Sequence, residues 1–163
     1  MSLILPQPEI QQVTLERHKS KRWRGPPSYA FASSTAVLPI FGSEAAAAAM
    51  SLPLAFVQSE EAFVLAAVLG LEPGANLFVS PDGRWLCNYL PVALRAYPFM
   101  LLPMTDGVYT LCVDESGGMV TEGGEGKPFF EEDGQELSSV LKKVMEVLSR
   151  AENARASSLP ACA

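Results

Sequence analysis

Leu137, Val140, Leu141, Val144 and Leu148 recur at helical spacing, with Lys142, Lys143 and Glu146 mostly off that face. The pattern predicts an amphipathic helix that packs on the chain's own sheet or docks on another subunit. Asp133 and Glu136 ahead of it have the form of a capping box. After Arg150 the residues read as a disordered tail, 151–163. The rest of the chain is built of shorter apolar runs that predict strands: 9–15, 37–41, 54–57, 62–69, 77–79, 85–87, 99–104 and 108–113. Pro39 places the second of these on a sheet edge. The run 62–69 also fits a buried helix, and its Phe63, Val64 and Val68 favour a strand. Residues 29–31 are expected to be extended.

Polar and Gly/Pro clusters punctuate these runs. Gln58-Ser-Glu-Glu61, Glu72-Pro-Gly-Ala75, Thr105-Asp-Gly107 and Glu115–Gly118 read as turns, and 122–126 as an acidic loop. Ser80-Pro-Asp-Gly83 has Pro and Gly at the second and fourth positions of a type I turn, which predicts a hairpin. Two short helices are expected. One is Ala-rich, capped by Ser43, with Glu44 in its first turn and Ser51 and Pro53 at its end. The other starts at Pro91 and stops near Tyr97, because Pro98 follows. Together the elements define an α+β fold: small antiparallel sheets made from hairpins, with the C-terminal helix packed on them. The 163 residues suggest a single domain over 1–150 with room for a hydrophobic core.

Charge narrows the choice of partner. The net charge is -6. Residues 25–141 hold three basic side chains, Arg84, Arg95 and Lys127, against fourteen acidic ones, a balance of -11. Such a body repels a nucleic-acid backbone. The basic cluster Arg17, Lys19, Lys21, Arg22 and Arg24, beside His18, is expected either to dock on the chain's own acidic face or to touch an acidic partner or membrane surface. The N-terminal Met-Ser-Leu-Ile-Leu-Pro lacks the charged start of a secretory signal. No run approaches the roughly 20 apolar residues of a membrane span. The expectation is a cytoplasmic protein without a membrane span. Cys87 and Cys112 lie in apolar runs and read as buried thiols, and Cys162 as exposed.

Chemistry-bearing motifs are sparse. There is no GxGxxG, P-loop, HExxH or GxSxG pattern. One His and no CxxC leave no metal ligand set, and no cofactor is expected. The acidic pairs Glu60-Glu61, Asp114-Glu115 and Glu131–Asp133 read as solvated turn residues rather than a catalytic dyad. The dense stretch is Asn76–Phe99, which carries Arg84, Trp85, Tyr89, Arg95 and Tyr97. Arginine forks and aromatic faces anchor interfaces, and these five are the candidate recognition surface. In the competing reading Trp85, Tyr89 and Phe99 are core, and Arg95 caps carbonyls or pairs with an acid.

An ordered series of short blocks resembles the SapC family, bacterial proteins named after a component associated with paracrystalline surface layers. The blocks are His18 within Leu-Glu-Arg-His-Lys, Tyr29-Ala-Phe-Ala32, Glu44 in its Ala-rich helix, Leu52-Pro-Leu-Ala-Phe56, Leu69-Gly-Leu71 and Asn76-Leu-Phe78. Asp82-Gly-Arg-Trp85, Tyr89-Leu-Pro91, Arg95, Tyr97-Pro-Phe99, Asp114-Glu115 and Phe129 through Asp133-Gly134 continue it. The resemblance covers about residues 5–148. The resemblance implies that this chain lacks a further C-terminal region usual in the family, and Leu52-Pro-Leu-Ala-Phe56 replaces a Tyr-Pro-Ile-Val-Phe-like segment. It also implies a non-catalytic accessory or structural protein with a protein partner, linked to surface-layer or export systems. A homodimer, formed through an apolar face left open, is a further expectation. The alternatives are an enzyme or enzyme subunit, using His18 as acid/base beside Glu44 or Arg95, and a small-ligand sensor built on the same aromatic patch.

Overall fold

A computed structural model describes residues 9–59, 62–104, 108–132, 134 and 136–158, with 59, 62 and 153–158 described by backbone alone. The expected turn residues Glu60, Glu61 and Thr105–Gly107, the expected cap Asp133, and Cys162 lie outside these. The strands are β1 (Ile10–Gln12), β2 (Arg22–Trp23), β3 (Val37–Pro39), β4 (Leu54–Ser59), β5 (Ala62–Val68), β6 (Phe99–Pro103), β7 (Tyr109–Asp114), β8 (Val120–Thr121) and β9 (Lys127–Pro128). The helices are α1 (Leu15–His18), α2 (Ala45–Ala49), α3 (Val92–Ala96) and α4 (Ser139–Ser158). The α+β class is as expected. Among the described residues all strand pairs are antiparallel, in three sheets of three strands.

The described residues form two compact units, one of 27–95 with 150–158, the other of 9–26 with 96–149. The first holds the sheet β3-β5-β4. Its alanines Ala66 and Ala67 are fully buried and let Val37 and Leu38 of β3 pack close. β3 lies on an edge, as its proline requires. The second unit holds the sheets β1-β7-β6 and β8-β2-β9. Trp23 on β2 is buried, meets Phe99 edge-on at 4.7 Å, and donates its Nε1 proton to Pro128 O at 3.3 Å. Phe129, fully buried, packs edge-on against Phe99 as well, at 5.9 Å. A Trp in a basic stretch thus becomes a centre of the core.

Several local expectations change. Residues 30–32 form a tight 3-10 turn rather than an extended piece. The predicted strands around Ser80–Gly83 meet in a single bridge, Val79 with Trp85. The buried Asn76 explains the shortfall: its Oδ1 takes the Phe78 N–H at 2.9 Å, and its amide donates to Ala32 O at 2.9 Å. Backbone donors used locally are lost to a ladder. The turn itself forms as predicted, with Gly83 N–H donating to Ser80 O at 2.8 Å. Gly83 has φ 81°, and a Cβ there would stand 2.8 Å from the Ser28 side chain, so the position needs glycine.

The C-terminal helix starts later and runs longer than expected. Leu137 is taken up in a bridge with Phe130. Ser138 is the cap: its Oγ accepts from Leu141 N–H at 3.3 Å and donates to Pro128 O at 2.8 Å. The helix then continues through Arg150 to Ser158, where composition had suggested a disordered tail. Leu141 and Leu148 are buried and Val144 is half-buried, which confirms the apolar stripe.

Candidate functional site

The first unit carries a constellation centred on Glu44. Its carboxylate is buried at the end of the 3-10 turn Gly42–Glu44 that leads into α2. Oε1 accepts the Phe41 N–H at 3.1 Å, so Glu44 itself, not Ser43, caps the turn. Oε2 accepts the Tyr89 hydroxyl at 2.7 Å and the Val92 N–H at 2.8 Å. One side chain therefore fixes Tyr89 and the first turn of α3 together. A carboxylate suits that position, because it takes a donor that the helix cannot satisfy internally. Burial, and then the bond to Glu44, push the Tyr89 hydroxyl up to about 12, while the Arg95 charge pulls the other way. Tyr89 is thus a firm donor near neutral pH.

Trp85 is held by a second short link. Its Nε1 donates to Tyr89 O at 2.8 Å. Its ring lies 6.1 Å from Tyr29 and 5.9 Å from Phe78, tilted against both. Tyr29 N–H in turn donates to Gly83 O at 2.7 Å. Trp85 and Tyr89 remain half-buried. Arg95, on α3, is exposed and makes no ion pair among the described residues. Arg84 is 77% exposed and pairs with Asp82 at 2.8 Å across the turn. Leu77 and Leu86 of the same stretch are also exposed.

The five sequence-predicted residues thus separate. Arg84, Trp85, Tyr89 and Arg95 belong to the first unit, and Trp85 and Tyr89 are locked by hydrogen bonds. Tyr97 belongs to the second unit. It is buried and donates its hydroxyl to Asp114 Oδ2 at 2.8 Å, and burial raises its ionisation well above the usual tyrosine range. Asp114 also accepts from Ser116 N at 2.9 Å and Ser116 Oγ at 2.6 Å. Tyr97 serves the core.

His18, the other candidate, lies in the second unit and is fully buried, its ring tilted against Phe129 at 4.8 Å. Its Nδ1 is 3.2 Å from the backbone of Thr14. Its Nε2 stands 3.2 Å from Glu115 Oε1, out of line for a hydrogen bond. The carboxylate beside His18 is therefore Glu115, whereas Glu44 and Arg95 belong to the first unit. Glu115 also takes Arg17 at 2.5 Å and Lys21 at 2.8 Å. The Arg17 bond, with Lys21 behind it, holds Glu115 down to about 2 against the opposing effect of burial. Burial lowers His18 below its ordinary value. Two members of the basic cluster thus dock on the chain's own acid. The sequence singled out Glu44 and Asp114-Glu115 as family blocks, and Glu44 as a possible acid beside His18, but nothing in it marked Glu44 as the anchor of Tyr89 or Glu115 as the partner of Arg17 and Lys21.

Among the described residues no group of three or more His, Cys, Asp and Glu is placed to hold a metal ion, and no helix is long and apolar enough to cross a membrane. Cys112 is buried and Cys87 half-buried, its thiol 3.2 Å from Ser51 O. Fold and site define a small α+β protein in which a buried carboxylate holds Tyr89 and the first turn of α3. The SapC family model matches residues 13–163, nearly the whole chain, and the chain belongs to the SapC family. No curated protein and no solved structure matches it.

Proposed function

We propose that this protein is a non-catalytic accessory or structural protein that binds a protein partner through Trp85, Tyr89 and Arg95, with Arg84 at the margin. The observation that carries the reading is Arg95: an exposed guanidinium that makes no ion pair among the described residues, beside a tyrosine fixed by Glu44. An exposed arginine fork beside the half-buried Tyr89 suits a carboxylate on a partner. Rotamers already fixed by hydrogen bonds reduce the ordering cost of binding. In a body that carries only three basic residues between 25 and 141, Arg95 is also a rare point of attraction for an acidic group. The burial of His18 supports the non-catalytic side of the reading, since a substrate has no surface of it to reach. A cytoplasmic location and a link to surface-layer or export systems belong to the same proposal and rest on the family resemblance.

The test is affinity capture from the native cell with wild-type and Arg95→Ala protein, alongside thermal melting of both. Loss of one captured protein at unchanged melting temperature supports the reading. Identical capture by both proteins, or loss that tracks a lower melting temperature, overturns it.

A further inference from the structure

In the sheet β3-β5-β4, β4 is an edge strand that pairs only with β5 among the described residues. Val68 N–H donates to Pro53 O at 2.9 Å, which makes Pro53 and Val68 a hydrogen-bonded pair. Such pairs alternate along an antiparallel ladder. Ala55 with Ala66 and Val57 with Val64 are the next two. The N–H and C=O groups of Leu54, Phe56 and Gln58 therefore point away from β5, out of the sheet. Residues directly opposite share a face: Leu54 with Ala67, Phe56 with Leu65 and Gln58 with Phe63. On that face Phe56 is 62% and Phe63 57% exposed, and they stand diagonal to each other.

Open edges normally carry a lysine, a proline, a bulge or an inward charge that blocks pairing. Leu54–Gln58 carries no charge and no proline. We propose that β4 is a homodimer interface, where two copies of this chain pair β4 with β4 antiparallel across a twofold axis and form one six-stranded sheet. A twofold axis normal to the sheet keeps each face on its own side, so the outward-pointing residues meet one another. Phe56 lies opposite its own counterpart and Leu54 opposite Gln58. Every outward N–H and C=O of the three residues then finds a partner, and the two copies' Phe56 and Phe63 rings form one apolar cluster. The edge suits itself without adjustment, which is the condition of an isologous contact. A net charge of -6 makes two copies repel, and the uncharged stretch Leu54–Gln58 is where their approach costs least.

Sedimentation equilibrium tests this at moderate salt, from about 1 to about 200 μM, the range suited to a small interface. Wild type should move from the 17.5 kDa monomer to twice that mass. Phe56→Lys and Phe56→Glu should each stay monomeric, and their equimolar mixture should dimerise, because the two substituted side chains face each other on the axis. Leu71→Lys, at an exposed leucine outside the sheet, should dimerise as wild type does. Gln58→Pro removes one outward N–H and no bond to β5, and it should also abolish the dimer; far-UV circular dichroism confirms folding of each variant. A wild type that is monomeric throughout overturns the proposal, whatever else covers the edge. So does a dimer that survives Phe56→Lys, or a Lys/Glu mixture that stays monomeric.

Discussion

Glu44 Oε2 accepts two hydrogen bonds at once, from the Tyr89 hydroxyl at 2.7 Å and from the Val92 N–H at 2.8 Å. The aromatic patch and the start of α3 are therefore fixed by one oxygen, while the other oxygen holds the Phe41 N–H. Glu44→Gln keeps the shape but offers only one acceptor atom. Its amide must face either the Phe41 N–H or the Tyr89 and Val92 donors. Leaving buried donors unmatched costs about 1–3 kcal/mol. Tyr89→Phe removes one donor and leaves Oε2 its bond to Val92, a smaller loss of about 1 kcal/mol. Urea denaturation should rank Glu44→Gln as the more damaging. A reversed order would mean that Tyr89, not Glu44, anchors the patch.

Tyr97 and Arg95 should behave as opposites. Tyr97→Phe strips a donor from the buried Asp114, and stability should fall by about 1–3 kcal/mol. Partner capture should persist at temperatures where the variant is folded. Arg95→Ala should lose capture with stability unchanged within about 0.5 kcal/mol, as for an exposed surface site. Denaturation midpoints and capture on the same preparations separate the two effects.

Stability should fall with acid in two stages. His18 is held below its ordinary 6.5 by burial. An unfolded chain then binds a proton that the folded chain resists, so His18 favours folding above about pH 6.5 and this is lost as pH drops through the folded value. Glu115 sits at about 2 against an ordinary 4.5, so its contribution is complete above 4.5 and disappears between 4.5 and 2. That shift corresponds to at most about 3 kcal/mol, less in practice because Arg17 is 45% exposed and water screens the pair. Denaturant midpoints from pH 7.5 to pH 2.5 should show both stages. His18→Gln should flatten the upper one, and Glu115→Gln the lower one. A midpoint constant between pH 7 and 5 in wild type would refute the role given to His18.

The first turn of α4 depends on Ser138. Its hydroxyl caps Leu141 N–H and ties back to Pro128 O. Ser138→Ala should cost about 1–2 kcal/mol, the range of a lost cap. Glu136→Ala should cost well under 1 kcal/mol, since its bond to Lys142 is an exposed ion pair. Equal losses from the two would return the cap to the upstream acidic residues.

Much of the fold was legible because it depends on near neighbours. Strands β3 to β7 follow apolar runs bounded by turn residues. The turn at Ser80–Gly83 follows from a fixed proline φ and a glycine that must adopt φ 81°. Helix α3 is confined between Pro91 and Pro98. The stripe Leu141–Leu148 set the face of α4. The family too was readable, from the order of blocks that are individually weak. The tertiary structure alone decided what each polar side chain does. Tyr89 and Tyr97 are alike in sequence terms, yet one lines a half-open patch and the other serves the core. Glu44 finds Tyr89 across 45 positions, and His18 finds Glu115 across 97. Residue spacing encodes dihedral preference and which face an element presents. The partner of a buried carboxylate is set by how those faces close on one another, a sum over many weak contacts distant in the chain, and that sum left Trp85, Tyr89 and Arg95 at a surface and took His18 and Tyr97 inside.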